Sequence, residues 1–168
     1  MIDFRDYLTE LFEKPFTLKT VKNRGALVTY VYEINPQLEP KNREENRDNL
    51  VTVNFSLMRE GEGENEWEVD FVRGGSTALT GKGDAGRVFA TVLSAIQDFT
   101  KTHKPSTLVF TAAKSELRVS DLSYRSGSRI KLYSAMIKRF APKFGYRLLD
   151  AKDVGSVKHL FVLQRVEP

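Results

Sequence analysis

The sequence predicts an α/β (α+β) domain: a mixed, mostly antiparallel sheet of six or seven strands, flanked by two main helices and preceded by an N-terminal helix. Three observations carry this. Apolar residues recur at every second position through much of the chain up to residue 74, the period of a strand with one wet face. From about residue 84 to residue 103 the spacing changes to three and four, the mark of an amphipathic helix. A short, almost wholly apolar run follows at 107–112. Strand, helix and strand at this length make a right-handed crossover, so the strands on either side of that helix are expected to be parallel.

The elements follow in order. Phe4, Leu8 and Leu11 or Phe12 fall at helical spacing, with Asp3 to cap the start and Pro15 beyond the end. Phe16, Leu18 and Thr20 then alternate with Thr17 and Lys19, and after the turn-like Asn23-Arg24-Gly25 residues 26–34 read as a return strand. Residues 35–49 carry two prolines and mostly polar side chains, and read as a long exposed loop. Val51, Val53, Phe55 and Leu57 alternate with Thr52, Asn54 and Ser56. Past a turn at 61–65, Trp67, Val69 and Phe71 alternate with Glu66, Glu68 and Asp70. This is an antiparallel meander.

In the helix after Gly74-Gly75, Val88, Phe89, Val92, Ala95, Ile96 and Phe99 form the apolar stripe, and Arg87, Thr91, Ser94, Asp98 and Lys101 fall between them. Lys104-Pro105 stops it. The 107–112 strand is apolar enough to be covered on both faces. A Ser-rich polar stretch at 114–128 leads to a second helix over about 128–141, with Ile130, Tyr133, Ile137 and Phe140 inward. Residues 146–149 and 160–163 close the chain as two strands.

With 168 residues the chain has the length of one ordinary domain. It contains no cysteine and only two histidines, His103 and His159, so disulfides, thiolate catalysis and multi-His metal sites are excluded and no metal is expected. No apolar run reaches the ~20 residues of a membrane span, and the acidic N-terminal stretch lacks the pattern of a secretory signal. A cytoplasmic protein with no membrane partner is the expectation.

Net charge is +4, unevenly placed. Between Lys114 and Arg147 stand nine basic residues and two acidic ones, and elsewhere 17 basic face 20 acidic. A cationic third of this kind attracts phosphate-bearing or acidic partners, or is simply a solvated helix face.

One segment has chemical content. Gly81-Lys82-Gly83-Asp84-Ala85-Gly86, followed by Arg87, sits between a strand and a long helix. Glycines let backbone approach a ligand, and a helix start offers amide groups to a phosphate. The letters match G-x-G-x-x-G, yet the strand before them belongs to a meander and no acid follows at ~20 residues, against a dinucleotide site. The triphosphate-binding loop fails because Gly83, not Ser or Thr, follows Lys82.

The order of elements, together with Thr80-x-x-Gly83-x-Ala85, Leu132-Tyr133 and Gly145-Tyr146, resembles the GNAT superfamily of N-acetyltransferases over roughly residues 50–165. Thr80 stands where that family has Gln or Arg. The resemblance implies a GNAT-like fold and acetyl-coenzyme A as small-molecule cofactor. It makes residues 81–86 the pyrophosphate loop, with Lys82 and Arg87 as helpers. It implies transfer of an acetyl group to a primary amine, with Glu68 or Asp70 as general base and Tyr133 as the acid for the leaving thiolate. For Glu68 and Asp70 the plain alternative is the wet face of a strand, and for Tyr133 a core position with a surface hydroxyl.

The phrase Tyr7 to Phe16, the Gly-x-Gly-Asp-Ala loop and the Ser-Arg-x-Lys-Leu-Tyr stretch at 128–133 resemble a group of small bacteriophage proteins. This implies a viral origin and a place in the host cytoplasm, or association with the virion. It supplies a second expectation, a catalytically inactive GNAT-like protein that binds a host protein. A nucleic-acid surface on the basic 114–147 segment is a third, with Tyr124, Tyr133, Phe140, Phe144 and Tyr146 among its cations. Inward placement of Tyr133, Phe140 and Tyr146 would leave no stacking platform.

Overall fold

The structure, a computed structural model, describes residues 14–74, 85–113, 137–154 and 158–166. Among the described residues there are seven strands: β1 (Thr17–Asn23), β2 (Leu27–Glu33), β3 (Leu50–Gly61), β4 (Glu64–Arg73), β5 (Thr107–Ala113), β6 (Tyr146–Val154) and β7 (Lys158–Arg165). They form one sheet in the order β1-β2-β3-β4-β5-β7-β6. Only β4 and β5 run parallel, and every other neighbouring pair is antiparallel. Helix α1 (Arg43–Asp48) precedes β3, and the long helix α2 (Ala85–His103) crosses from β4 to β5. No helix of the described residues is long and apolar enough to cross a membrane.

The alternation in the sequence decides which face is buried. Val28, Phe55, Val69, Phe110 and Phe161 stand in register across five strands, and each is 1% exposed or less. Against that face α2 lays its stripe of Val88, Val92, Ala95, Ile96 and Phe99. The Phe99 ring stacks on Phe55 at 4.0 Å between centroids and 8° between planes, and Trp67 makes a T-shaped contact with it at 4.9 Å. Rings that bury this much surface dominate core energetics. At the edge of the contact Tyr30 donates its hydroxyl to Asp98 Oδ2 at 2.6 Å. Thr91, between the apolar positions of α2, is also buried: its Oγ1 accepts the Phe16 amide at 2.8 Å and donates to the Arg87 carbonyl. The lead into β1 is thereby fastened to the helix.

The 35–49 stretch differs from the expected loop. It is exposed, but it holds α1, which apolar periodicity could not announce because the helix buries nothing. Its signal is a cap: Asn42 accepts from the Glu45 amide, with Glu44 and Glu45 in the first turn. Asn49 closes the base. It bonds the Asn35 amide and carbonyl through its side chain and the Ile34 amide through its own carbonyl. In β5, Leu108 and Phe110 are buried whereas Thr107 and Val109 are half-exposed, so this strand is covered on one face more fully than on the other.

The expected N-terminal helix lies outside the described residues. Of the second main helix, residues 137–140 are described and helical. Ile137 is buried against the core. The helix gives way to a 3-10 turn, Ala141–Phe144, with Pro142 in its first turn, and Gly145 at φ 82° closes it. Tyr146 then buries its ring and donates its hydroxyl to the Pro105 carbonyl. Phe140 packs at the margin of the core with Arg139 and Lys143 over its ring.

Truncating Phe99 to Ala should cost about 3–5 kcal/mol, the usual price of deleting a buried aromatic, measured by urea unfolding at neutral pH. Burial pushes the Tyr32 and Tyr146 hydroxyls up from the ordinary tyrosine value to about 12. Ser94 in the first case and Arg165 in the second offset part of the rise. The folded protein therefore holds these protons more tightly than the unfolded chain. That contribution is complete below about pH 10 and is lost as pH rises to about 12. Tyr146→Phe should flatten this alkaline decline, read as unfolding free energy against pH.

Candidate functional site

The parallel ladder between β4 and β5 is short. It runs from Glu66↔Thr107 to Val69↔Phe110 and then stops. Yet β4 continues to Arg73 and β5 to Ala113, each still paired on its other side, with β3 and β7 respectively. The two strands thus part at their C-terminal ends. Phe71 and Phe110 flank the parting, their rings near-parallel at 5.9 Å. Asp70, Phe71 and Val72 have no partner in β5, so among the described residues the β5-facing edge of β4 offers backbone groups that such a sheet would otherwise consume.

Asp70 is the first residue beyond the last rung. It lies on the face turned away from α2, as its neighbours Val69 and Phe71 are buried on the other. Its carboxylate is held from the side. Thr29 Oγ1 donates to Asn54 Oδ1 at 2.9 Å, and Asn54 Nδ2 donates to Asp70 Oδ1 at 3.0 Å. The three residues are directly paired across β2, β3 and β4, so strand register alone aligns them. A carboxylate oxygen only accepts, so the amide turns its nitrogen to Asp70 and its oxygen to Thr29. Glu68 lies two residues earlier on the same half-buried face, beside Ser56 on β3 and Val109 on β5. The structure brings Glu68 and Asp70 to the mouth of the parting and leaves both accessible to solvent.

The other predicted residues divide. Gly81, Lys82, Gly83, Asp84 and Tyr133 lie outside the described residues. Ala85 and Gly86 open α2, whose first turn contains no acid. Arg87 is exposed. Its Nε donates to the Lys14 carbonyl at 3.1 Å, and its guanidinium sits 4.3 Å above the Phe16 ring. Among the described residues no cluster of His, Asp and Glu is arranged to hold a metal. Of the aromatics in the basic segment, Tyr146 is 2% exposed and cannot stack on a base.

The sequence reading missed Thr29 and Asn54 as the residues that orient Asp70. The signal was present, since Asn is disfavoured in strand interiors and Asn54 sits in the middle of β3. It also missed Arg73, a charged residue 7% exposed on the last position of β4. Gly74 follows at φ 61°, where an added Cβ would meet Asp48 backbone and side-chain atoms at 3.4 Å. A side chain here would be strained by the left-handed backbone as well as crowded by Asp48.

No protein-family model matches the chain, and no curated protein sequence matches it. A crystal structure from Sphaerobacter thermophilus, titled as that of a putative acetyltransferase, aligns with 99% of this chain and 90% of its own, at 12% identity and a TM-score of 0.36.

Proposed function

We propose that the protein transfers an acetyl group from acetyl-coenzyme A to a primary amine. The observation that carries this reading is the parting of β4 and β5 beyond Val69 and Phe110, with Asp70 fixed at its vertex. The order of elements around it supports the same reading: a meander, a long crossover helix, one parallel strand and a closing hairpin.

When bound, the cofactor supplies the acyl group as a reactive thioester on an amide-bearing arm. The parted edges of β4 and β5 suit such an arm, as a sheet edge suits an extended peptide. Gly81 through Gly86 would hold the pyrophosphate on backbone amides at the start of α2, with Lys82 and Arg87 as helpers. Arg87 keeps guanidinium N–H groups beyond the one given to Lys14. Asp70 takes the proton from the incoming ammonium on the carboxylate that Asn54 positions, and Glu68 is the alternative base on the same face. Tyr133 holds the proton that the leaving sulfur needs. Under the same proposal the protein is of viral origin and acts in the host cytoplasm, which rests on the N-terminal phrase and the two shared motifs.

Calorimetric titration with acetyl-coenzyme A tests the reading. Micromolar binding that Gly83→Trp abolishes is expected, and the absence of heat with folded protein at millimolar cofactor would refute it. With turnover of an amine read as released thiol, Asp70→Asn should lower kcat by about 10²–10⁴, the range of a lost general base. It should leave cofactor affinity and fold unchanged, because an amide oxygen still accepts from Asn54.

A further inference from the structure

The opposite end of the sheet carries a second concavity, of about 500 Å³, a size at which small molecules bind. Strand register builds it. Arg59 on β3 stands opposite Glu66 on β4, Glu66 opposite Thr107 on β5, Thr107 opposite Gln164 on β7, and Gln164 opposite Arg147 on β6. One transverse row thus sets five polar side chains on five strands. They share the face turned away from α2, since their neighbours Trp67, Leu108 and Leu163 are buried on the other. Along β4 the row lies at the far end from Asp70 and Arg73, so this cavity and the parted strands do not share residues.

The floor of the cavity is rigid. The Asn65 amide donates to Ser106 Oγ at 2.9 Å, and Ser106 Oγ donates to the Asn65 carbonyl at 2.6 Å. The Ser106 amide is shared between the Asn65 carbonyl and Oδ1, at 3.0 and 2.9 Å. The Ser106 carbonyl in turn accepts the Arg165 amide at 3.0 Å. These bonds consume the acceptors of Asn65 and leave its side-chain N–H₂ as a donor. The same holds for Gln164, whose Oε1 accepts from Arg147 Nη2 at 3.0 Å. Arg165 also lines the cavity, and its Nη1 is spent on the Lys104 carbonyl at 2.7 Å.

What remains is a surplus of donors: most N–H groups of three guanidiniums, two amide N–H₂ groups and the Thr107 hydroxyl. Among the described residues Glu64 and Glu66 are the carboxylates in the lining, against three arginines. Arginine forks match the oxygens of phosphates and carboxylates. Arg59 stands at one end of the row and Arg147 at the other, while Arg165 lines the cavity from the next position on β7, its guanidinium turned to the Lys104 carbonyl.

We propose that this cavity binds a small multivalent oxyanion, a phosphate ester or a polycarboxylate, with anionic groups that engage Arg59 on one side and Arg147 on the other. The proposal is independent of the acetyl-transfer reading. The test is a titration of the ¹⁵N-labelled full chain with pyrophosphate and, separately, with citrate, at ionic strength held constant with sodium chloride. Saturable amide shifts centred on Asn65, Ser106, Thr107 and Arg165 are expected with at least one of them. Saturation by pyrophosphate alone assigns phosphate esters, and by citrate alone polycarboxylates. Arg59→Gln and Arg147→Gln, both at exposed positions, should each weaken binding roughly tenfold or more, whereas Lys22→Gln on β1 should not. Shifts that never saturate, that chloride alone reproduces, or that persist with full affinity in both arginine variants would overturn the site.

Discussion

The contact on which the rest of this structure depends is the stack of Phe99 on Phe55. It joins the C-terminal third of α2 to the middle of β3, with Trp67 of β4 closing over the edge and Tyr30 tied to Asp98 beside it. A helix clamped there by its long apolar stripe has one way back to the sheet. The right-handed crossover then delivers β5 parallel to β4. Once β5 is in place its free edge recruits β7, and β7 brings β6 by a hairpin. The only parallel pair among the described residues is therefore a consequence of how one aromatic pair seats one helix.

That parallel pair also makes the two ends of the sheet unlike. β4 is bound along its full length to β3, in an antiparallel ladder that reaches from Gly61↔Glu64 to Val51↔Arg73. Its ladder to β5 is much shorter, so the strands stay together at one end and separate at the other. The two ends of the sheet become different environments. At the separated end a carboxylate is aligned by Thr29 and Asn54 through strand register. At the joined end the same register lines up Arg59, Glu66, Thr107, Gln164 and Arg147 over a floor locked by Asn65 and Ser106.

Much of this was legible in the residues. Alternation marked β3 and β4 and the buried side of each, and three-and-four spacing marked α2 and the positions that bury there. The crossover rule fixed the direction of β5. Other features had no signature in apolar period. Helix α1 buries nothing, so only its Asn42 cap and its first-turn acids declared it. Thr91 looked like an outward position until the Phe16 amide needed an acceptor. β6 and β7 extend further than their apolar cores because backbone pairing, not burial, carries their ends. At the site, Glu68 and Asp70 were readable as the wet positions of a strand. What separates them is where the β4–β5 ladder stops, a property of two strands together that neither segment contains alone.

Hydrogen exchange with and without acetyl-coenzyme A tests the central claim most directly. If the parted strands form the cofactor cleft, the amides of residues 70–73 on β4 and 111–113 on β5 should gain protection when the cofactor binds, while the exposed edge strand β1 stays unchanged. Binding that protects other segments and leaves both parted strands as they were would contradict the account.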